Sequence, residues 1–244
     1  MQTTPKEPQE EPQKTFYHVD PKILDRAAWD VLAMSEAMRP KTVWFIRHAE
    51  SQSNADKSFK SDDFASATVP LSKHGIKQAE ELADDFSVEP DLIVVSPYAR
   101  AKQTAEPLIK KYPNVPVEEW PIQEFTYLSL DRCVGTTILE RKPWVDEYWE
   151  KGDPFYSDGD GAESWDDFMG RAFGTVEMVK SREEKFIVLF SHEFFIAAVR
   201  YILSEEEFEI APNHIKDFRR CFLSNRIPNA SKVEFIFKDQ QIPE

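Results

Sequence analysis

Three short apolar runs interrupt a chain that elsewhere mixes polar and apolar residues: Val43–Ile46, Leu92–Val95 and Phe186–Phe190. Each has the length of a strand and none alternates, the pattern of strands covered on both faces. Helical spacing lies between and after them. Ser72 stands as N-cap ahead of Ile76, Ala79, Leu82, Ala83 and Phe86, and Pro97 stands at a first helical position ahead of Ala101, Ala105 and Leu108. A further helix spans about Ser164 to Val179, with Phe168, Ala172, Val176 and Val179 inward, and Phe195, Ala198, Val199 and Ile202 follow Ser191. Strands alternating with helices predict an α/β fold: a three-layer α/β/α sandwich with a mostly parallel central sheet and helices on both faces. Val233, Phe235 and Phe237 alternate with polar residues, as an edge strand would.

The ends of the chain read differently. Residues 1–14 are almost all Gln, Glu, Pro, Lys and Thr and bury too little apolar surface to offset their ordering entropy, so a disordered tail is expected. A helical appendage is expected over 15–40, capped by Asp20, carrying Ile23, Leu24, Ala27, Ala28, Val31 and Leu32 in register and stopped by Pro40. The main domain is then 41–240. Composition narrows the function classes. With 30 basic against 44 acidic residues, the net charge of −14 is the opposite of the basic footprint that nucleic acid or an anionic membrane requires. No apolar run is long enough to span a bilayer, and the N-terminus lacks a basic region followed by an apolar core. Cys133 and Cys221 stand far apart with no CxxC, which fits two ordinary buried thiols in a cytoplasmic protein.

The same three strands carry the chemistry. Ligands in open α/β sheets bind beyond the carboxyl ends of the strands. Arg47 and His48 follow the first run, Ser96 and then Arg100 the second, and Ser191 and His192 the third. An arginine in a first helical turn opposes the helix dipole, a broken local rule best explained by an anion. Guanidinium forks match phosphate oxygens, and helix N-termini add amide donors. Neighbouring cations lower a histidine's pKa and keep it neutral, so a histidine here could attack phosphorus and carry the phosphoryl group. Departure of an alcohol then needs a carboxylic acid nearby.

These residues resemble the histidine phosphatase superfamily, the phosphoglycerate mutase-like family of branch 1, over about residues 41–237. The resemblance rests on FIRHAESQSN at 45–54, LSKHGIKQAEELA at 71–83, SPYARAKQTA at 96–105, GAESWDDFMGRA at 161–172, LFSHEFF at 189–195 and IPNASKVEF at 227–235, in that order. It implies that His48 is the phosphorylated nucleophile, with Arg47, Arg100 and His192 completing the phosphate pocket and Asn54 at its edge. Glu124, in PIQEFTYL, takes the place of the proton donor, with Asp131 and Glu119 as alternative carboxylates. Glu163 and Ser164 match a Glu-Ser pair that supports and contacts the bound phosphoryl group. No metal or other cofactor is implied.

Two departures stand out. Ala49 and Glu193 occupy positions where the family carries glycine after each histidine. Glu193 suits the first turn of a helix and is expected to face solvent. The resemblance implies a metal-independent phosphomonoester hydrolase acting through a phosphohistidine on a small phosphorylated metabolite or a phosphoprotein. A phosphoglycerate mutase uses the same residues with added basic groups, for which 120–150 offers Arg132, Arg141 and Lys142. A regulatory protein that binds a phosphorylated ligand without turnover is the third possibility. Segment 125–160 is rich in aromatics, suiting either an apolar leaving group or a packed lid.

Overall fold

A computed structural model describes residues 40–60, 67–204 and 214–237. The tail and helix expected over 1–14 and 15–40 lie outside the described residues. In chain order the elements are β1 (Lys41–Arg47), α1 (Gln52–Ala55), α2 (Lys73–Asp84), β2 (Leu92–Val95), α3 (Ala99–Lys111), β3 (Val117–Glu119), α4 (Leu130–Cys133), α5 (Ile138–Lys151), α6 (Trp165–Ser181), β4 (Phe186–Ser191), α7 (Glu193–Ser204), α8 (His214–Ser224) and β5 (Lys232–Phe237). The sheet order is β3-β2-β4-β1-β5. β1, β2, β3 and β4 run parallel, and β5 closes one edge antiparallel to β1. The α/β/α sandwich is thus present, and the three apolar runs are its three central strands.

The sheet separates two cores. On one face Val43, Phe45, Leu92, Val94, Ile187 and Leu189 pack against Phe168, Ala172 and Val176 of α6 and Phe195, Ala198 and Val199 of α7. On the other, Ile46, Ile93, Val95, Val188 and Phe190 meet Ala83 of α2 and Ala101, Ala105 and Leu108 of α3. Continuous apolar strands are required because each successive side chain enters a different one of these cores. Ser72 and Ser164 cap α2 and α6 through their hydroxyls, as their positions foretell.

Two local expectations are corrected. Pro97 does not open α3: the helix starts at Ala99, with Tyr98 at its cap and no side-chain capping bond. Ser96, which could have capped it, instead directs its hydroxyl to the His192 ring. The cysteines are not both buried, since Cys221 is exposed and Cys133 is half-buried. The aromatics of 125–160 divide. Phe125 stacks on Phe168 with ring centroids 4.2 Å apart and Trp149 stacks on Phe194, so most serve as core; Phe155 is exposed. Among the described residues, no helix is long and apolar enough to cross a membrane.

Candidate active site

Parallel strands end side by side, so the residues after β1, β2 and β4 meet. The backbone N–H of His48 donates to Ser191 O at 2.9 Å, and that of Ser96 donates to Phe190 O at 3.0 Å, tying the three strand ends together. The loop after His48 is clamped by α2. Glu50 O accepts from the Ser72 N–H at 2.8 Å, and the Glu50 N–H donates to Gln78 Oε1 at 2.8 Å. Gly75 is obligatory there: a Cβ on it would stand 2.0 Å from Glu50 O. The LSKHGIKQAEELA stretch is thus a brace for the loop after His48. Ala49 keeps an ordinary negative φ, so glycine is not needed after His48.

His48, Arg100 and His192 form one buried array. Arg100 Nε donates to His48 Nε2 at 3.1 Å, and its terminal nitrogen donates to His192 Nδ1 at 3.0 Å. A guanidinium has only donors, so both of those ring nitrogens carry lone pairs. The remaining protons follow: His48 Nδ1–H donates to Ala49 O at 2.7 Å, and His192 Nε2–H donates to Ser96 Oγ at 2.8 Å. Burial, followed by the charge of Arg100, holds both imidazoles well below the usual histidine range. Burial also lowers the Arg100 guanidinium to about 10, which leaves it cationic at neutral pH. The site therefore presents a neutral imidazole with its lone pair facing a fixed cation.

Glu124 stands at the N-terminus of α7. Its Oε1 accepts the Phe194 N–H at 3.0 Å and the Phe125 N–H at 3.2 Å. Burial, opposed by Arg100 and Arg47, leaves its pKa above the usual carboxylate range. It lines a cavity of about 260 Å³. The segment leading to it is pinned: Arg171 donates to Pro121 O at 2.8 Å and to Gln123 O at 2.9 Å, and Ser191 Oγ donates to Ile122 O at 2.7 Å. The alternative carboxylates lie elsewhere. Asp131 is exposed on α4, and Glu119 pairs with Lys102 at the far edge of the sheet.

Glu163 and Ser164 occupy supporting places. Glu163 binds Arg171 through both oxygens, at 2.9 and 2.8 Å, and so steadies the carbonyls before Glu124. Ser164 is committed to capping α6, where it exchanges hydrogen bonds with Asp167. Of the site residues expected from sequence, Glu124 alone lines the cavity. Asn54 is exposed, and its Oδ1 accepts from the Ser51 N–H and from Asn229.

The expectation that Glu193 faces solvent is overturned. It is only 4 % exposed. Its carboxylate lies 3.0 Å from Arg47, accepts two bonds from Arg226 at 2.5 and 2.8 Å, and accepts the Ile227 N–H at 3.1 Å. The physical reason is long-range: Arg226 and Ile227 supply donors that no local pattern announces. Burial pushes this carboxyl up, but the Arg226 bonds and the Arg47 charge outweigh it and hold the pKa below its ordinary value. Arg47 also donates to Ile227 O, while its Nε–H is buried without a partner.

Arg171, Arg226 and Asn229 were not singled out from sequence. Asn229 Nδ2 donates to His48 O at 2.9 Å, and the next residue, Ala230, adopts a left-handed φ of 56° that lets its N–H reach Arg47 O at 3.1 Å. Among the described residues, no group of three or more His, Cys, Asp or Glu could hold a metal ion.

A family model, the histidine phosphatase superfamily (branch 1), matches residues 43–219, and the chain belongs to that superfamily. Solved structures with the same fold include a mycobacterial glucosyl-3-phosphoglycerate phosphatase, 22 % identical with a TM-score of 0.59, covering 80 % of this chain and 90 % of that one. A phosphoserine phosphatase from Entamoeba histolytica is 21 % identical with a TM-score of 0.60, over 80 % and 90 % of the two chains. A putative α-ribazole-5'-P phosphatase from Escherichia coli is 19 % identical with a TM-score of 0.58, again over 80 % and 90 %. A search of curated proteins finds no match.

Proposed function

We propose that this protein is a metal-independent phosphomonoesterase acting through a phosphohistidine. The observation that carries the reading is the unprotonated Nε2 of buried His48, held 3.1 Å from Arg100, a cation close enough to act on the Glu124 carboxyl. His48 Nε2 attacks phosphorus while the ester oxygen departs with the proton of Glu124. Arg100, His192 and the unpartnered Nε–H of Arg47 stabilise charge on the phosphoryl oxygens, which requires the Arg100–His48 bond to give way to the ligand. Water then attacks phosphorus, Glu124 takes its proton, and the P–N bond breaks to return His48. Asn54 lies one hydrogen-bonded residue, Asn229, from the His48 backbone, and we assign it to the pocket edge on that ground. Glu163 and Ser164 hold the scaffold.

The phosphatase reading is favoured over a mutase by the fate of the basic residues. Arg132 is bound to Asp158 and lies over the Trp144 ring, and Lys142 pairs with Asp146 on the surface. Arg141 alone of the three lines the cavity. The separation of the two free cysteines supports a cytoplasmic location. The substrate is a phosphorylated small molecule or phosphoprotein. The test is phosphate release from p-nitrophenyl phosphate in EDTA, wild type beside His48→Ala. Turnover by wild type alone upholds the reading. Turnover by neither moves it to the mutase, tested with 3-phosphoglycerate and a bisphosphoglycerate primer, or to a phospholigand-binding protein. Equal turnover by both removes His48 as nucleophile.

A further inference from the structure

The reaction leaves one part of the cavity unused. Glu124 must stand over the ester oxygen, so the space beyond it receives the alcohol half of the substrate. That space is walled largely by Phe59, Val69, Phe125, Leu128, Ile138 and Val145. Val69, Phe125 and Leu128 are nearly inaccessible from outside and anchor the wall in the core, while Phe59 and Val145 are half-buried and Ile138 is exposed at its rim. Ser53, Thr126 and Tyr127 add three hydroxyls to the lining, too few to pair an alcohol half made only of hydroxyls and amines, so an apolar body loses less on entering.

The same wall carries Arg141. Its Nε donates to Thr137 O at 3.2 Å, which fixes the side chain on the first turn of α5. Other arginines around this region have carboxylate partners: Arg132 has Asp158, Arg171 has Glu163, and Arg226 has Glu193. Among the described residues, no carboxylate lies within ion-pair distance of Arg141. The adjacent Glu140 is turned back to cap α5, accepting the Thr137 N–H at 2.7 Å. The half-buried guanidinium touches the Cys133 thiol but has no carboxylate partner among the described residues, and its fork matches the planar, bidentate geometry of a ligand carboxylate.

We propose that the preferred substrates are phosphomonoesters whose alcohol half has an apolar, ring-sized body ending in a carboxylate, with Arg141 binding that carboxylate. This rests on the phosphatase reading and adds to it the class of leaving group. Glu124 reads the phosphate end and Arg141 the acid end, and the wall between them rejects small polar esters.

The experiment compares kcat/KM for 3-(4-phosphonooxyphenyl)propanoate, phenyl phosphate and glycerol 3-phosphate, in wild type, Arg141→Met and Arg141→Lys. The carboxylated aryl ester is expected to exceed phenyl phosphate by about tenfold, the worth of one charge-assisted bidentate contact. Phenyl phosphate is expected to exceed glycerol 3-phosphate. Arg141→Met removes the carboxylate advantage, chiefly through KM, so that the carboxylated aryl ester and phenyl phosphate come to be hydrolysed alike; Arg141→Lys restores part of it. Equal or faster turnover of glycerol 3-phosphate overturns the proposal, as does an Arg141→Met loss shared by all three esters. If wild type hydrolyses none of them, the phosphatase reading has failed. Calorimetry of His48→Ala with the matching phosphonates then judges the cavity alone: the same order of affinities sustains it, and indifference to the carboxylate overturns it.

Discussion

The strand-end pocket and the cavity wall beside it are built on opposite terms. In the pocket, His48, Arg100 and His192 are each 5 % exposed or less, and every ring nitrogen of the two histidines has a hydrogen-bond partner. Its residues come from the ends of three paired strands, which the sheet locks in register. The wall comes from Phe59, Val69 and the stretch 125–145, and it holds together largely by apolar contact, with one cation, Arg141, that has no carboxylate partner among the described residues. A fully satisfied polar array tolerates no change of residue type, whereas an apolar wall tolerates any side chain of fitting volume. The pocket can therefore keep one chemistry while the wall sets which alcohol enters.

The largest effect that sharpens this contrast is loss of the nucleophile. His48→Ala is expected to lower kcat about a thousandfold or more for every ester alike, measured by phosphate release, because the pocket serves all leaving groups. A loss confined to some esters would break the division between the two regions.

Glu124 stands at the join, so its substitution should show both regions at once. Glu124→Gln is expected to cost about 10²–10⁴-fold with alkyl esters, which need a proton on departure, and far less with p-nitrophenyl phosphate. Its raised pKa keeps the acid form present beyond the ordinary carboxylate range. Rates for alkyl esters should therefore fall as pH rises through that pKa, and this alkaline limb should be missing from the Glu124→Gln profile. An unchanged limb would assign the proton to another group.

Glu193 gives a smaller, signed effect. Its carboxylate pairs with Arg47, and on the proposed reading it competes with phosphate for that guanidinium. Glu193→Gly is expected to tighten inhibition by orthovanadate severalfold, on the order of one competing ion pair. Weaker inhibition would mean that Glu193 instead holds Arg47 in its working position. The smallest effect concerns scaffold alone: Ser164→Ala should cost about 1 kcal/mol of stability in denaturant unfolding through loss of the α6 cap, with KM unchanged. A rise in KM would return Ser164 to the pocket.

The pocket was legible because its residues follow apolar runs immediately. Arg47-His48 and Ser191-His192 each sit one step past a strand, and Arg100 sits in the following helix, so neighbouring strands bring them together without long-range knowledge. β3, α5 and α8 were not legible. β3 reads Val-Glu-Glu and is largely exposed. α5 buries only Tyr148 and Trp149 and carries Pro143 inside, so its apolar period is too weak to see. The inward turn of Glu193 depends on a partner 33 residues away. The brace from Asn229 to His48 spans 181 residues and leaves no pattern in either segment.

That brace has a consequence for how the protein comes into being. The carbonyl of His48 and the backbone of Arg47 find their partners in Asn229 and Ala230, at the doorway of the last strand. A ribosome making this chain delivers His48 early and the residues that fix it very late. Until β5 has docked on β1, the histidine hangs from an unfinished loop. On the proposed reading, catalytic competence is among the last properties the nascent chain acquires, and a product cut short before Asn229 is expected to be inert even with every reactive side chain already made.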